Sequence, residues 1–189
     1  LRATSFRLLR ATAAGMKLKL EHFDVTNAFT QSDIDKEIFV KPPEGYVGNG
    51  KVSNGKVLKL KKSLYGTKQA SRLWQLKLRS FLTKDLKFKN STHDPCLFSY
   101  CAPNGKILLI GVYVDDIIVA HNDEKLLAWF TQRFTGEGGF KAKHLGKLSW
   151  FLGMAIDVHP DGAISISQEQ YVDKLMEKFA PKQPFTPKP

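Results

Sequence analysis

The sequence predicts a mixed α+β fold organised as one domain. Apolar residues recur at helical spacing in separate segments, as in Phe6, Leu9 and Ala13 and again in Trp74, Leu78, Phe81 and Leu82. Between them, two hairpin signals follow each other directly, at Asn104-Gly105 and at Asp115-Asp116. With 189 residues, 42% of them hydrophobic, the chain is long enough for a real core and too apolar for a disordered or collagen-like segment.

Each element has a local cause. Thr4 or Ser5 is placed to cap a first helix through Phe6, Leu9 and Ala13, with Gly15 ending it. A strand is expected over residues 18–25, and a shorter one over 37–40 that Pro42 and Pro43 stop. The Gly/Asn-rich stretch 45–55 reads as a loop, and 57–60 alternates back into a strand. From 69 to about 84 a helix buries Trp74, Leu78, Phe81 and Leu82 and leaves Arg72, Lys77, Arg79 and Lys84 outside. Strands over 96–100 and 106–114 flank Asn104-Gly105, a two-residue turn in which both positions take positive φ. A helix over 123–134 and strands within 150–158 and 163–166 come next. Ser167 and Gln170 then have the spacing of a capping box for a last helix carrying Tyr171, Leu175, Met176 and Phe179. The domain is expected to span 1–180, with a proline-rich tail over 181–189.

The charge is local. Lys plus Arg exceed Asp plus Glu by 29 − 18 = 11, and residues 51–90 hold twelve basic residues against the single acid Asp85, which accounts for the whole excess. Such a stretch suits a polyanion, because lysines and arginines that neutralise phosphates release condensed counterions, although a solvated helix face has the same composition. The apolar run 107–114 is far too short to span a membrane, which needs roughly 20 residues, so no membrane partner is expected. Cys96 and Cys101 are too few for a disulfide framework, so a reducing compartment is expected and the thiols read as free and buried in a hairpin. With His93 they make a poor zinc set, and His22, His121 and His159 read as isolated. Gly136 to Gly139 lacks the Lys-Ser/Thr of a phosphate loop. The chain starts at Leu1 without a signal or transit pattern and reads as a piece of a longer polypeptide.

Asp115-Asp116 needs a physical account. Turns favour Asp, usually followed by Gly, but none follows here. Adjacent acids among Val, Tyr and Ile repel each other unless a cation binds, and Asp24 supplies a third carboxylate at the end of a neighbouring strand. Three carboxylates so placed could hold two hard divalent cations about 4 Å apart and activate a 3′ hydroxyl.

These residues carry a resemblance. Phe23-Asp24-Val25-Thr26-Asn27-Ala28-Phe29 is similar to the first catalytic motif of reverse transcriptases, and Tyr113-Val114-Asp115-Asp116 to the third. Between them, Leu64-Tyr65-Gly66-Thr67-Lys68-Gln69-Ala70, followed by Arg72 and Trp74, resembles the copia-type LTR retrotransposon form of the second. The likeness runs in order over nearly all of 6–180.

It implies a palm: a ferredoxin-like antiparallel sheet backed by helices, with partial fingers and the start of a thumb. It also implies an RNA-directed DNA polymerase using two Mg2+ ions, for which Mn2+ may substitute. By motif match, Asp24, Asp115 and Asp116 are the metal ligands, and Lys143 is a candidate acid for the leaving pyrophosphate. Phe29 falls at the position that excludes a ribose 2′-OH. Tyr65, Gly66 and Lys68 fall in the nucleotide-binding segment, and Arg72, Lys77 and Arg79 are the nucleic-acid contacts. The implied partners are an RNA or DNA template with primer, deoxynucleoside triphosphates, and the rest of a Pol polyprotein with upstream fingers, downstream thumb and RNase H. The implied location is the cytoplasm, in virus-like particles, or the nucleus. Thr67, Ser71, Ser32 and His144 depart from the family pattern. A nucleic-acid-binding remnant without catalysis and a non-templated two-metal nucleotidyl enzyme are the alternatives.

Overall fold

The computed structural model describes residues 1–48, 51–52 and 57–179. Part of the 45–55 loop, the 181–189 tail and the boundary at 180 lie outside the described residues.

The first helix, α1, covers Ala3–Gly15 and starts ahead of the expected Thr4 or Ser5 cap. No side chain caps it from within. Instead Asp94, far along the chain, accepts the Arg2 N–H at 2.9 Å. β1 (Lys19–Val25) is followed by a 3₁₀ turn, Ala28–Gln31, and by the short strands β2 (Phe39–Val40), β3 (Val47–Gly48), β4 (Lys51–Val52) and β5 (Leu58–Lys59). The basic helix α2 (Ala70–Ser80) runs on into a π-helical turn, Phe81–Asp85. Then come β6 (Lys89–Asn90), β7 (Leu97–Cys101), β8 (Ile107–Tyr113), β9 (Asp116–His121), α3 (Glu124–Thr135), β10 (Ala142–Lys147), β11 (Trp150–Phe151), β12 (Met154–Val158), β13 (Ile164–Ser167) and α4 (Glu169–Phe179).

Six strands form one antiparallel sheet in the order β10-β1-β9-β8-β7-β6. With α2 between β1 and β8, and α3 between β9 and β10, its central part has the β-α-β-β-α-β pattern. β11, β12 and β13 make a second sheet, and β2-β5 and β3-β4 are separate pairs. Period-2 alternation divides the apolar residues between two layers. Phe23, Val25, Ile117 and Val119 pack against Trp74, Leu78, Phe130 and Phe134 of α2 and α3. Leu20, Ile118 and Ala120 face the other way, onto Phe6, Leu9 and Ala13 of α1 and onto Phe151 and Ile156.

Several expectations are corrected. β10 is a strand the sequence does not announce, because its residues are mostly polar and only Ala142 and the His144 ring, stacked on Phe23 with centroids 4.4 Å apart, pack inward. β6, two residues long, carries no periodic signal. Asn104 and Gly105 do take positive φ, but inside a longer loop with a 3₁₀ turn over Pro103–Gly105, closed by Ala102 N–H donating to the Lys106 carbonyl. Ser167 Oγ accepts from the Glu169 N–H, two residues on, so the cap at α4 is not the expected box. Cys101 is exposed and Cys96 half-buried, so neither thiol is fully buried.

Asp94 ties α1 to the loop before β7. It is 2% exposed, and burial alone would push its carboxyl up. The Arg2 N–H, the Ser5 hydroxyl and the Cys96 N–H donate to it and bring it down to about 2. A carboxyl depressed in the folded state stabilises above its unfolded pKa, and that contribution is lost as pH falls through the folded value. We expect about 2 kcal/mol of unfolding free energy to disappear between roughly pH 4 and 2. In urea titrations over that range Asp94→Asn should show a flatter dependence; an unchanged slope would remove Asp94 from the account.

Candidate active site

The site lies where β1 ends and β9 begins. Asp24 and Asp116 are direct partners in the β1-β9 register, so their side chains leave the sheet on the same face, that of Leu20 and Ile118. Like charges placed directly opposite destabilise an antiparallel pair. On the other side of Asp24 its β10 partner is Lys143, exposed and on the same face. The edge of the sheet thus carries Lys143, Asp24 and Asp116 side by side. β10 reaches this register through a bulge opposite His22 and Phe23.

Asp115 does not pair. The hairpin closes between Tyr113 and Asp116, so the turn residues are Val114 and Asp115, one position earlier than the sequence suggested. Val114 has φ 57, a left-handed conformation that a β-branched residue adopts only at a cost, about 1–3 kcal/mol. The Asp115 carbonyl accepts the Val25 N–H at 2.9 Å, and the Val114 carbonyl accepts the Trp74 indole N–H at 2.6 Å.

Phe29 and Tyr65 stand beside the carboxylates with ring centroids 4.5 Å apart. Phe29 sits on the 3₁₀ turn, which Gln31 fastens to the sheet: its amide donates to the Thr26 and Lys141 carbonyls and accepts the Lys141 N–H. Burial, then the charges of Asp115 and Asp24, push the Tyr65 hydroxyl up, while the Ala28 and Phe29 N–H groups pull it down. The Tyr65 ring itself remains largely exposed, resting against Phe29. Gly66 has φ 89, and a Cβ there would meet no atom within 4 Å, so the glycine serves the turn conformation and leaves its surroundings open.

The basic residues are unequal. Lys68 and Arg79 are exposed, and Arg72 is exposed but lies 3.4 Å from Asp35. The Lys77 ammonium donates to the Gln31 carbonyl and stands 6.0 Å from the Phe140 ring centroid, so it supports the Phe29 turn as well as carrying charge.

Two neighbours escaped the sequence reading. His22 is not isolated: its Nε2 lies 2.9 Å from Asp116 Oδ1. Its spacing two residues before Asp24, which puts it on the same strand face, was the available signal. Trp74 read as core, and nothing local marks its N–H as a partner of a distant turn.

Three carboxylates supply hard oxygen donors suited to Mg2+ or Mn2+. Among the described residues no group of three or more His, Cys, Asp or Glu side chains is gathered closely enough to hold a metal ion. The donor set still fits Mg2+, which typically takes one or two carboxylates and completes its shell with water and substrate phosphates.

The sequence pattern of the family described as "Reverse transcriptase (RNA-dependent DNA polymerase)" matches residues 1–186. The chain is 34% identical over 179 residues to the retrovirus-related Pol polyprotein from transposon TNT 1-94 of Nicotiana tabacum, covering 93% of this chain and 13% of that protein. It is 32% identical over 179 residues to the corresponding polyprotein from transposon RE1 of Arabidopsis thaliana, covering 94% of this chain and 12% of that one. A transposon Ty5-1 protein of Saccharomyces cerevisiae is 34% identical over 151 residues, 80% of this chain and 47% of its own length. No solved structure matches. Among the described residues no helix is long and apolar enough to cross a membrane.

Proposed function

The chain belongs to the reverse transcriptase family, in its copia-type branch, and on that premise we propose that it carries the catalytic centre of an RNA-directed DNA polymerase. The reaction is transfer of a deoxynucleotidyl group to the 3′ hydroxyl of a primer on an RNA or DNA template. The observation that carries this reading is the pairing of Asp24 with Asp116 across β1 and β9, with Asp115 at the adjoining turn and the Phe29 and Tyr65 rings alongside.

Asp24, Asp115 and Asp116 would hold two Mg2+ ions, or Mn2+, which supply charge neutralisation of the triphosphate and of the attacking oxygen. The chain's own residues do the rest. Phe29 closes the space beneath the sugar, and Tyr65 and Gly66 form the floor under the base. Lys143, on the same face as Asp24, is placed to give a proton to the departing pyrophosphate. The six-stranded sheet is the palm, ferredoxin-like in its central strands, residues ahead of β1 and between β2 and β5 belong to the fingers, and α4 begins the thumb. The remainder of the Pol polyprotein, with further fingers, thumb and RNase H, is the partner that completes the enzyme.

The test is primer extension on an RNA template by the polyprotein that contains this segment, with deoxynucleoside triphosphates and Mg2+. Templated products support the reading; binding of primer-template without extension favours the non-catalytic remnant. In the active form, Phe29→Val should admit ribonucleotides, and equal exclusion before and after would return Phe29 to a packing role.

Nucleic-acid affinity offers a second measurement, on the chain itself. Because lysine and arginine read phosphates and not base edges, binding should show little sequence preference. Neutralising Lys68, Arg72 and Arg79 should reduce the slope of log K against log salt by roughly 2 to 3. An unaltered slope would make the face merely solvated.

A further inference from the structure

We propose that Trp74 is a positioning residue for the catalytic turn: its indole N–H, by holding the Val114 carbonyl, keeps Val114 and Asp115 in the turn conformation that sets Asp115 at the end of β9, next to the Asp24–Asp116 pair. The proposal rests on the reading of Asp115 as a metal ligand and adds to it the element that places the ligand.

The turn needs an external hold. Val114 takes φ 57 with a β-branched side chain, and neither turn position is a glycine that would adopt this without strain. Strained backbone persists only where its surroundings over-determine it. Packing does not do so here, because a cavity of about 250 Å³ lies against the turn, lined among others by Trp74, Leu78, Phe98, Val112, Tyr113 and Val114. The turn has room to relax into it. Two hydrogen bonds oppose that movement, the Val25 N–H to the Asp115 carbonyl and the Trp74 N–H to the Val114 carbonyl.

The second bond is the stiffer restraint. Trp74 is 2% exposed, and its ring meets Phe140 edge to face, with centroids 5.1 Å apart and planes at 81°. The indole cannot follow a turn that moves away, and a departing carbonyl would leave a buried donor unpaired, which is costly. The bond therefore favours one turn conformation over all others. Trp74 also stands on α2, the helix that carries Arg72, Lys77 and Arg79. One rigid element thus joins the basic face to the placement of Asp115.

The experiment compares the parent chain with Trp74→Phe, which keeps an aromatic ring and removes the N–H, and with Asp115→Asn. Amide exchange of Val25 reports the turn; exchange of Ile118 and Ala120, in the body of β9, reports the fold. In Trp74→Phe, Val25 should exchange about tenfold faster or more, with Ile118 and Ala120 unchanged, and Mn2+ affinity measured by calorimetry should fall by about tenfold, the loss of one buried hydrogen bond. Asp115→Asn should lose Mn2+ binding and leave Val25 exchange alone. Unchanged Val25 exchange in Trp74→Phe overturns the proposal, and so does unchanged Mn2+ affinity when the parent binds the ion. If the parent binds no Mn2+, the metal reading of Asp115 fails separately and Val25 exchange alone decides the role of Trp74. If Trp74→Phe does not fold, the parent decides: a Trp74 indole proton that exchanges slowly upholds the bond, and one that exchanges at the free rate overturns it.

Discussion

Phe134→Ala is expected to destabilise the chain by about 3–5 kcal/mol, the range for removing a large ring from a core that cannot collapse around the gap. Phe134 is fully buried on α3, and its ring meets those of Phe23, Phe81, Phe130 and Phe140 at centroid distances of 6.0, 6.2, 5.2 and 5.3 Å. These neighbours come from β1, α3 itself, the end of the basic helix and the segment entering β10, so no single element can shift to fill the space. At roughly 2–4 °C per kcal/mol for a domain of this size, the melting temperature should fall by on the order of 10 °C. The urea midpoint should drop at constant m-value. A loss under about 1 kcal/mol would mean that the aromatic layer repacks, and that Phe23, which carries Asp24 as its neighbour in β1, is not anchored by it.

The same layer separates what the sequence discloses from what it conceals. Apolar runs in residues 107–114 and 117–120 reveal β8 and β9, and Leu18, Leu20, Phe23 and Val25 mark β1, because burial on two faces forces apolar residues into both registers. Trp74 and Leu78 likewise betray α2. β10 stays hidden: an edge strand with one side toward solvent needs few apolar residues, and Ala142-Lys143-His144-Leu145-Gly146-Lys147 has a bulge that breaks its alternation. The individual acids of the site are legible, since adjacent carboxylates among apolar residues demand a reason. Their relation is not. That Asp24 faces Asp116 while Asp115 occupies the turn depends on pairing between strands some 90 residues apart, and the partnerships of His22 and Trp74 with that pair exist only once the strands have met. Local patterning records which face a side chain leaves from, and only topology records what it meets there.

The carboxylate pair should reverse the stability order of two proteins when a divalent cation is added. Without metal, Asp24→Asn removes a like charge facing Asp116 across the sheet, and the attraction it forfeits, to exposed Lys143, is weakened by solvent. The variant should therefore melt at the same temperature as the parent or slightly higher, with a gain of at most about 1 kcal/mol. With Mn2+ at about 100 times its dissociation constant the parent should gain about 2.7 kcal/mol, because the ion binds the folded chain and not the unfolded one. That corresponds to a rise of roughly 5–11 °C. Asp24→Asn, with one of the oxygen ligands made neutral, should gain little, so the parent becomes the more stable of the two. Asp115→Asn should lose the response as well, although its removal from the turn relieves no cross-strand partner and should leave the metal-free melting temperature near that of the parent. Melting curves of the three proteins with and without Mn2+ decide the matter. Equal gains in all three would mean that the ion binds elsewhere, and the pairing of Asp24 with Asp116 would then have no catalytic meaning.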